Sequence, residues 1–234
     1  MNQLEISEVV ASTHLKSPLD LALEESVKRA NKLDQDIKTA KADGKDVTGK
    51  ELAFKIKENA NLNNMAALQG RLDTYRDKAN KMNQNEKDTE SYKSNNSTIL
   101  GLHLTAAGKF KPSSYWEAHH LICTKHPSHA ASRAILFADK MKYAINDPDN
   151  GCWLPKKHKH ALNTQFKKAV GHQYIHTLEY ARWINLIVSG PGIQTKTDLK
   201  MQLKIIELKL ISATTALNKN ILTPKGQEDL RFSI

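Results

Sequence analysis

The spacing of apolar residues in the first third of the chain predicts two long helices. Apolar side chains recur every three or four residues in two long series, which places each series on one face of a helix. Ser17 and Pro18 are typical of a helix start, and Asp43-Gly44 separates the two series. We therefore predict helices over residues 18–42 and 48–82 that form a helical hairpin.

A polar segment divides the chain into domains. Residues 83–99 contain few apolar side chains and can bury little surface to offset the entropy of ordering, so we predict a linker. The hairpin before it, residues 1–82, is a candidate delivery or docking domain. After it we predict a core domain over residues 100–190. Residues 191–234 should contribute a last helix, with apolar residues in register from Thr197 to Leu217, that packs on this core.

Two short strands are predicted in the core domain. Tyr115–Ile122 is rich in aromatic and β-branched residues, and Cys152-Trp153-Leu154 is a short apolar run. The polar turn Asn146–Gly151 leads into the second strand, so the two strands should pair. A helix over residues 128–140 is predicted between them. The predicted fold class is α+β, mostly helical.

Charge is distributed unevenly between the two parts of the chain. Residues 1–99 carry 16 Lys and Arg against 16 Asp and Glu, whereas residues 100–234 carry 19 against 9, so the net charge of +10 belongs to the second part. A basic surface favours a polyanionic ligand such as nucleic acid. No apolar run approaches the roughly 18 residues needed to span a bilayer, and the N-terminus lacks the pattern of a Sec signal, so we expect no membrane anchor.

Histidines are concentrated in the basic part. Eight of the ten lie between positions 119 and 176. Imidazole is both a common metal ligand and a common general base, so this density indicates a reaction centre. His119 and His120 are adjacent in the first predicted strand and should face opposite sides, one binding a metal and the other facing a water. His172 and His176 are four residues apart in a predicted helical segment and could both bind one metal.

Three motifs in this region resemble a known family. They are Glu117-Ala118-His119-His120-Leu121-Ile122; Ile145-Asn146-Asp147 with Asn150-Gly151-Cys152-Trp153-Leu154-Pro155; and His172-x-x-x-His176-Thr177 with Tyr180 and Asn185. Together they are similar to the AHH branch of the HNH (ββα-metal) nucleases, which are frequently toxin domains of bacterial polymorphic and contact-delivered or type VI-delivered systems. The resemblance implies a ββα-metal nuclease domain, capped by the last helix, after the helical hairpin.

The resemblance also implies roles for individual residues. His119 would be a metal ligand and His120 the general base that deprotonates the attacking water. Asn150 would hold the turn and so orient the base, while His172 and His176 would complete the metal site. The sequence departs from the family pattern by an extra stretch, Ala161–Gly171. Two further histidines in that neighbourhood are alternative ligands: His158 and His160.

The activity implied is that of a metal-dependent endonuclease. It would use one divalent metal ion, Mg or else Zn, Ni or Mn, to hydrolyse phosphodiester bonds of DNA, with RNA as the other candidate substrate. Five lysines near the predicted site could bind the phosphate backbone without sequence preference. They are Lys156, Lys157, Lys159, Lys167 and Lys168. By family analogy the protein would be an antibacterial effector, made in the bacterial cytoplasm, secreted into a target cell and neutralised by a cognate immunity protein.

A zinc-stabilised module that binds nucleic acid without catalysis is the alternative. Cys123 and His126 have C-x-x-H spacing, and Cys152 with His158 or His160 could complete a four-ligand site. Such a structural site would be closed and rich in thiolates, whereas a nuclease centre keeps open coordination positions. A protein-interaction module, in which the hairpin is active and the nuclease domain degenerate, ranks last.

Overall fold

A computed structural model describes residues 18–94, 96–124, 126–212 and 221–226. The elements are, in order, α1 (Pro18–Ala42), α2 (Thr48–Lys81), α3 (Gln84–Ser91), α4 (Asn96–Ala106), β1 (Trp116–His120), α5 (Ala130–Phe137), β2 (Gly151–Pro155), α6 (Leu178–Val188) and α7 (Lys196–Ser212). Short 3₁₀ helices cover Pro127–His129, Pro148–Asn150, His158–His160 and His172–Tyr174. The prediction of a mostly helical α+β protein is confirmed. Among the described residues, no helix combines the length and apolarity needed to cross a membrane.

The chain forms two compact units, with the division between Gly70 and Arg71 inside α2. In the first unit α1 and α2 match the two predicted helices closely, although Ser17, the predicted capping residue, lies outside the described residues. Arg29 on α1 binds Glu58 on α2 through two hydrogen bonds of 3.1 and 2.7 Å. The turn between the helices includes Gly44, whose φ of 72° is one that L side chains rarely adopt.

The apolar series of the first unit are only partly buried. Ile37 is buried, but Leu23, Val27, Leu52 and Ile56 are between 44% and 62% exposed. The helical periodicity predicted the helices correctly because it depends on local spacing. It did not predict burial, because two helices alone have too little surface to cover both apolar stripes.

The second unit is built around a two-stranded antiparallel sheet. Strand β1 pairs with β2 so that Ala118 lies opposite Trp153 and His120 lies opposite Gly151. Gly151 is required by packing, because a Cβ at this position would come within 2.6 Å of the Leu100 side chain on α4. The main core cluster includes four apolar residues of α7: Leu199, Leu203, Ile206 and Leu210.

The segment predicted as a linker, residues 83–99, is instead folded. Asn83 caps α3 in a capping box with Glu86: each side chain binds the other residue's backbone NH. Lys87 is 2% exposed, and its Nζ donates to the Phe137 carbonyl at 3.3 Å. The prediction was wrong because it equated polarity with exposure, whereas Lys87, Ser91 and Asn96 are buried and hydrogen-bonded.

The helix predicted to carry both His172 and His176 is not present. His172 begins a short 3₁₀ helix, and α6 begins only after His176. Thr177 caps α6 by accepting a hydrogen bond from the Tyr180 NH at 3.0 Å. Because the capping residue follows His176 directly, the helix begins at Leu178 and includes neither histidine. In the last predicted helix, α7 ends at Ser212, and residues 213–220, which include Leu217, lie outside the described part of the chain.

Candidate functional site

Three histidines converge where β1 meets the segment before α6. One nitrogen from each of His119, His172 and His176 lies within 4.8 Å of the other two. The ring centroids of His119 are 5.0 Å from His172 and 5.6 Å from His176, and those of His172 and His176 are 4.8 Å apart. His119 is buried, His172 is half-buried and His176 is exposed, so the cluster opens to solvent on one side. Among the described residues this is the only such group of potential metal ligands.

Hydrogen bonds outside the cluster fix two of these rings. The Tyr180 hydroxyl donates to the Leu121 carbonyl at 3.0 Å, so it accepts from His119 Nε2, also at 3.0 Å. His172 Nδ1 lies 2.8 Å from the Glu117 carboxylate, which can only accept while ionised. With Nε2 of His119 and Nδ1 of His172 carrying hydrogens, the other nitrogen of each neutral ring keeps a lone pair. This is the outer-shell arrangement that metal-ligating histidines generally have.

Electrostatics favour the neutral form of two histidines in the cluster, His119 and His176. Burial holds the pKa of His119 well below its usual range, and the neighbouring His172 and His176 lower it further. Desolvation lowers the pKa of His176 as well, with His172 the next contribution. A metal binds the neutral form of imidazole. The donor set fits a single divalent cation with coordination positions left for other ligands, and imidazole suits Zn or Ni better than Mg.

His120 is buried beside this cluster and takes no part in it. Its Nε2 lies 2.9 Å from Oδ1 of Asn146, in the segment before β2. Burial lowers the pKa of His120 to about 4, and the hydrogen bond with Asn146 opposes this shift. The ring is therefore neutral near pH 7 and able to accept a proton. Of the two adjacent histidines, only His119 belongs to the histidine cluster.

Asn150 connects the turn before β2 to the residues that follow His120. Its Oδ1 accepts from the Ile122 NH at 2.9 Å, while its Nδ2 donates to the carbonyls of Ile122 at 3.3 Å and Ile145 at 2.9 Å. Asn150 therefore holds the turn against the end of β1. The hydrogen-bond partner of the His120 ring is Asn146.

The alternative ligands His158 and His160 lie elsewhere. His158 is 3% exposed, and its Nδ1 lies 2.8 Å from the Ala169 carbonyl, so it anchors the extra stretch Ala161–Gly171. The His160 ring stacks on Tyr115 at a centroid distance of 4.8 Å. Neither histidine belongs to the ligand cluster.

The four-ligand zinc site of the alternative hypothesis is not formed by the described residues. Cys152 is buried in β2, where burial raises the pKa of its thiol, so the thiolate that zinc requires is disfavoured. Cys123 is half-buried, and both cysteines are free. Within the described ranges, neither cysteine takes part in a group of three candidate ligands.

The five lysines predicted to bind phosphates precede His172 in the sequence, and they are exposed or half-buried. Lys156, Lys159, Lys167 and Lys168 are exposed and Lys157 is half-buried. The backbone of Lys156 lies beside the segment that carries His172. The Lys156 carbonyl accepts a hydrogen bond from the NH of Gln173, the residue after His172. These side chains are available for phosphate contacts.

The histidine cluster, the paired strands and helix α6 lie within one stretch of the chain, residues 116–188. A comparison with protein families gives one match: residues 100–209 are similar to AHH, a nuclease family of the HNH/ENDO VII superfamily with conserved AHH. The chain carries this triplet as Ala118-His119-His120. Searches of curated proteins and of solved structures gave no match. This match supports a nuclease domain over residues 100–209.

Sequence reasoning missed the residues that orient the histidines. Asn146 was quoted within a motif but received no role, and Tyr180 and Glu117 were quoted in the same way. The one signal for them was their place inside the motifs. Their partners lie 26, 61 and 55 positions away along the chain, so no local spacing could assign them.

Proposed function

We propose that this protein is a metal-dependent endonuclease of HNH type that hydrolyses phosphodiester bonds of DNA with little sequence preference. We further propose that it acts as an antibacterial toxin. His119, His172 and His176 would bind one divalent metal ion, and His120 would be the general base.

The observation that carries the proposal is the convergence of three imidazole nitrogens within 4.8 Å beside a fourth, separate histidine. A divalent cation bound there would polarise a phosphate oxygen and stabilise the charge that develops on the leaving oxygen. Tyr180 and Glu117 hold the rings of His119 and His172 with their lone pairs available. Imidazole ligands favour Zn or Ni over Mg as the native ion.

His120 is suited to the base role by its state and its position. The ring is neutral near neutral pH, because burial lowers its pKa to about 4. It can therefore take a proton from a water that attacks phosphorus, and the hydrogen bond to Asn146 keeps the ring in place. Positioned general bases contribute roughly 10²-fold to 10⁴-fold to rate.

The substrate is assigned from charge. The exposed lysines at 156, 159, 167 and 168, with Lys157, are suited to contact phosphates along a nucleic-acid backbone. Contacts to phosphates carry no sequence information, so the proposal is cleavage with little sequence preference. DNA is the proposed substrate, and RNA is the competing one.

The toxin role rests on the family resemblance. A nonspecific nuclease would be lethal to the cell that makes it, so we propose that a cognate immunity protein binds it. An acidic partner would complement the basic face. We also propose export from the bacterial cytoplasm and delivery into a target cell, with residues 1–82 serving delivery or docking.

Plasmid cleavage tests the nuclease chemistry. Purified full-length protein would be incubated with supercoiled plasmid and, separately, with structured RNA, in the presence of Mg, Mn, Ni or Zn or with EDTA. We expect metal-dependent nicking that is abolished in His119→Ala and reduced at least about 100-fold in His120→Ala. His160→Ala is the matched control, because this half-buried histidine stacks on Tyr115 outside the cluster.

The outcomes separate the candidate roles. Loss of activity in His160→Ala with activity retained in His119→Ala would reassign the metal site. Activity that persists after complete metal removal would refute the metal-dependent mechanism. For the toxin role, induced expression in the bacterial cytoplasm should stop growth with the native chain and not with His120→Ala, while equal toxicity of the two would reject it.

A further inference from the structure

A chain of buried amides leads from the end of α3 to the proposed base. It begins at Asn96, the first residue of α4, which is 3% exposed. Asn96 Nδ2 donates to the carbonyls of Glu90 at 3.2 Å and Ser91 at 2.8 Å. Both partners are backbone acceptors, so the amide has one satisfactory orientation. Its Oδ1 must point the other way, towards Asn146.

This orientation determines that of the second amide. Asn146 is fully buried, and its Nδ2 donates to Asn96 Oδ1 at 2.9 Å. Its own Oδ1 therefore faces Nε2 of His120, also at 2.9 Å. An amide oxygen can only accept, so His120 must carry its hydrogen on Nε2.

The backbone of Asn146 is held independently of its side chain. Its NH binds the Tyr75 hydroxyl at 2.8 Å, and its carbonyl lies 2.8 Å from Nδ1 of His103, which can only donate to it. The rings of Tyr75 and His103 contact each other at a centroid distance of 4.6 Å. The position from which the amide reaches His120 is thus fixed on both sides.

We propose that Asn96 is a positioning residue for the nuclease reaction: through Asn146 it fixes His120 as the Nε2–H tautomer and so leaves Nδ1 as the nitrogen that accepts the proton. The inference rests on the proposed base role of His120. Asn96, Glu90 and Ser91 lie before residue 100, outside the segment matched by the AHH family. Helix α3 and the first residue of α4 would therefore contribute to the positioning of the base in this chain.

Replacement of Asn96 separates this role from a structural one. In Asn96→Leu the size is retained, but Asn146 loses its acceptor and its amide is free to turn its NH₂ group towards His120. That orientation favours hydrogen on Nδ1 of His120. In Asn96→Asp one carboxyl oxygen still accepts from Asn146, so the orientation of the Asn146 amide is retained. The second carboxyl oxygen faces the Glu90 and Ser91 carbonyls, and the repulsion between these acceptors should lower the free energy of unfolding.

The tautomer can be read directly by ¹⁵N NMR of the imidazole rings in the full-length, metal-free protein, with His120 assigned from the spectrum of His120→Gln. We expect a protonated Nε2 and an unprotonated Nδ1 in the native protein and in Asn96→Asp. In Asn96→Leu the two nitrogen shifts should move towards each other. A native spectrum with hydrogen on Nδ1, or shifts unchanged in Asn96→Leu, would overturn the proposal.

Activity supplies the second readout. With the metal and plasmid of the cleavage assay, we expect kcat to fall at least about 10-fold in Asn96→Leu with KM little changed, and to recover in Asn96→Asp despite its lower stability. If activity instead follows stability across the two variants, Asn96 is only structural and the inference fails. The native spectrum tests the tautomer even if Asn96→Leu does not fold. It is also independent of catalysis, so a correct tautomer with full activity in His120→Ala would refute the base role alone.

Discussion

Replacing Asn150 by Ala should destabilise the second unit substantially. Asn150 is fully buried, and its amide makes three hydrogen bonds to the backbone of Ile122 and Ile145. Truncation leaves one buried NH and two buried carbonyls without this partner, and each such group costs about 1–3 kcal/mol. Because water entering the vacated space can satisfy part of this, we expect the free energy of unfolding to fall by about 3–5 kcal/mol.

Urea unfolding of the metal-free, full-length protein measures this change. Asn163→Ala is the matched control, since Asn163 is exposed and its loss should change the free energy of unfolding by less than about 0.5 kcal/mol. A change below about 1 kcal/mol in Asn150→Ala would refute the reasoning that these hydrogen bonds hold the turn. In that case any loss of nuclease activity would have to come from a direct role in the chemistry.

Three further results are expected. Glu117→Ala should weaken metal affinity by about 10-fold to 100-fold in calorimetric titration, because His172 loses the carboxylate that orients it; an unchanged Kd would contradict this. Tyr180→Phe should lower the free energy of unfolding by about 2 kcal/mol, since His119 Nε2 and a buried carbonyl lose their partner, and a neutral effect in urea unfolding would count against it. Burial lowers the pKa of His120 and His129 to about 4 and holds that of His119 well below its usual range. The folded protein therefore binds fewer protons than the unfolded chain below about pH 6.5. The metal-free protein should therefore lose stability as the pH falls from about 6.5 towards 4, by at most about 1.4 kcal/mol per pH unit for each ring, and a flat profile of unfolding free energy would be inconsistent with buried neutral histidines.

The sequence predicted those features that depend on neighbouring residues. Helices α1 and α2 follow from apolar spacing, and the strands β1 and β2 follow from short apolar runs beside a polar turn. The three histidines that converge were singled out through motifs, although the helix predicted to carry two of them is not present. His172 lies in a 3₁₀ helix, and His176 directly precedes Thr177, which caps α6. This path of the chain places the two rings at a centroid distance of 4.8 Å without a regular helix.

The polar segment over residues 83–99 shows why the residues that orient the histidines could not be predicted. A run of Asn, Ser, Thr and charged residues is read as solvated, because polar side chains are costly to bury without partners. In this chain the partners exist, but they are far apart in sequence: Asn96 binds Asn146 across 50 positions, and Arg133 binds Asp88 across 45. Each hydrogen bond is possible only after the sheet and helices have formed. The composition of a segment therefore indicates whether it can bury apolar surface, but not whether its amides are needed to orient a histidine elsewhere.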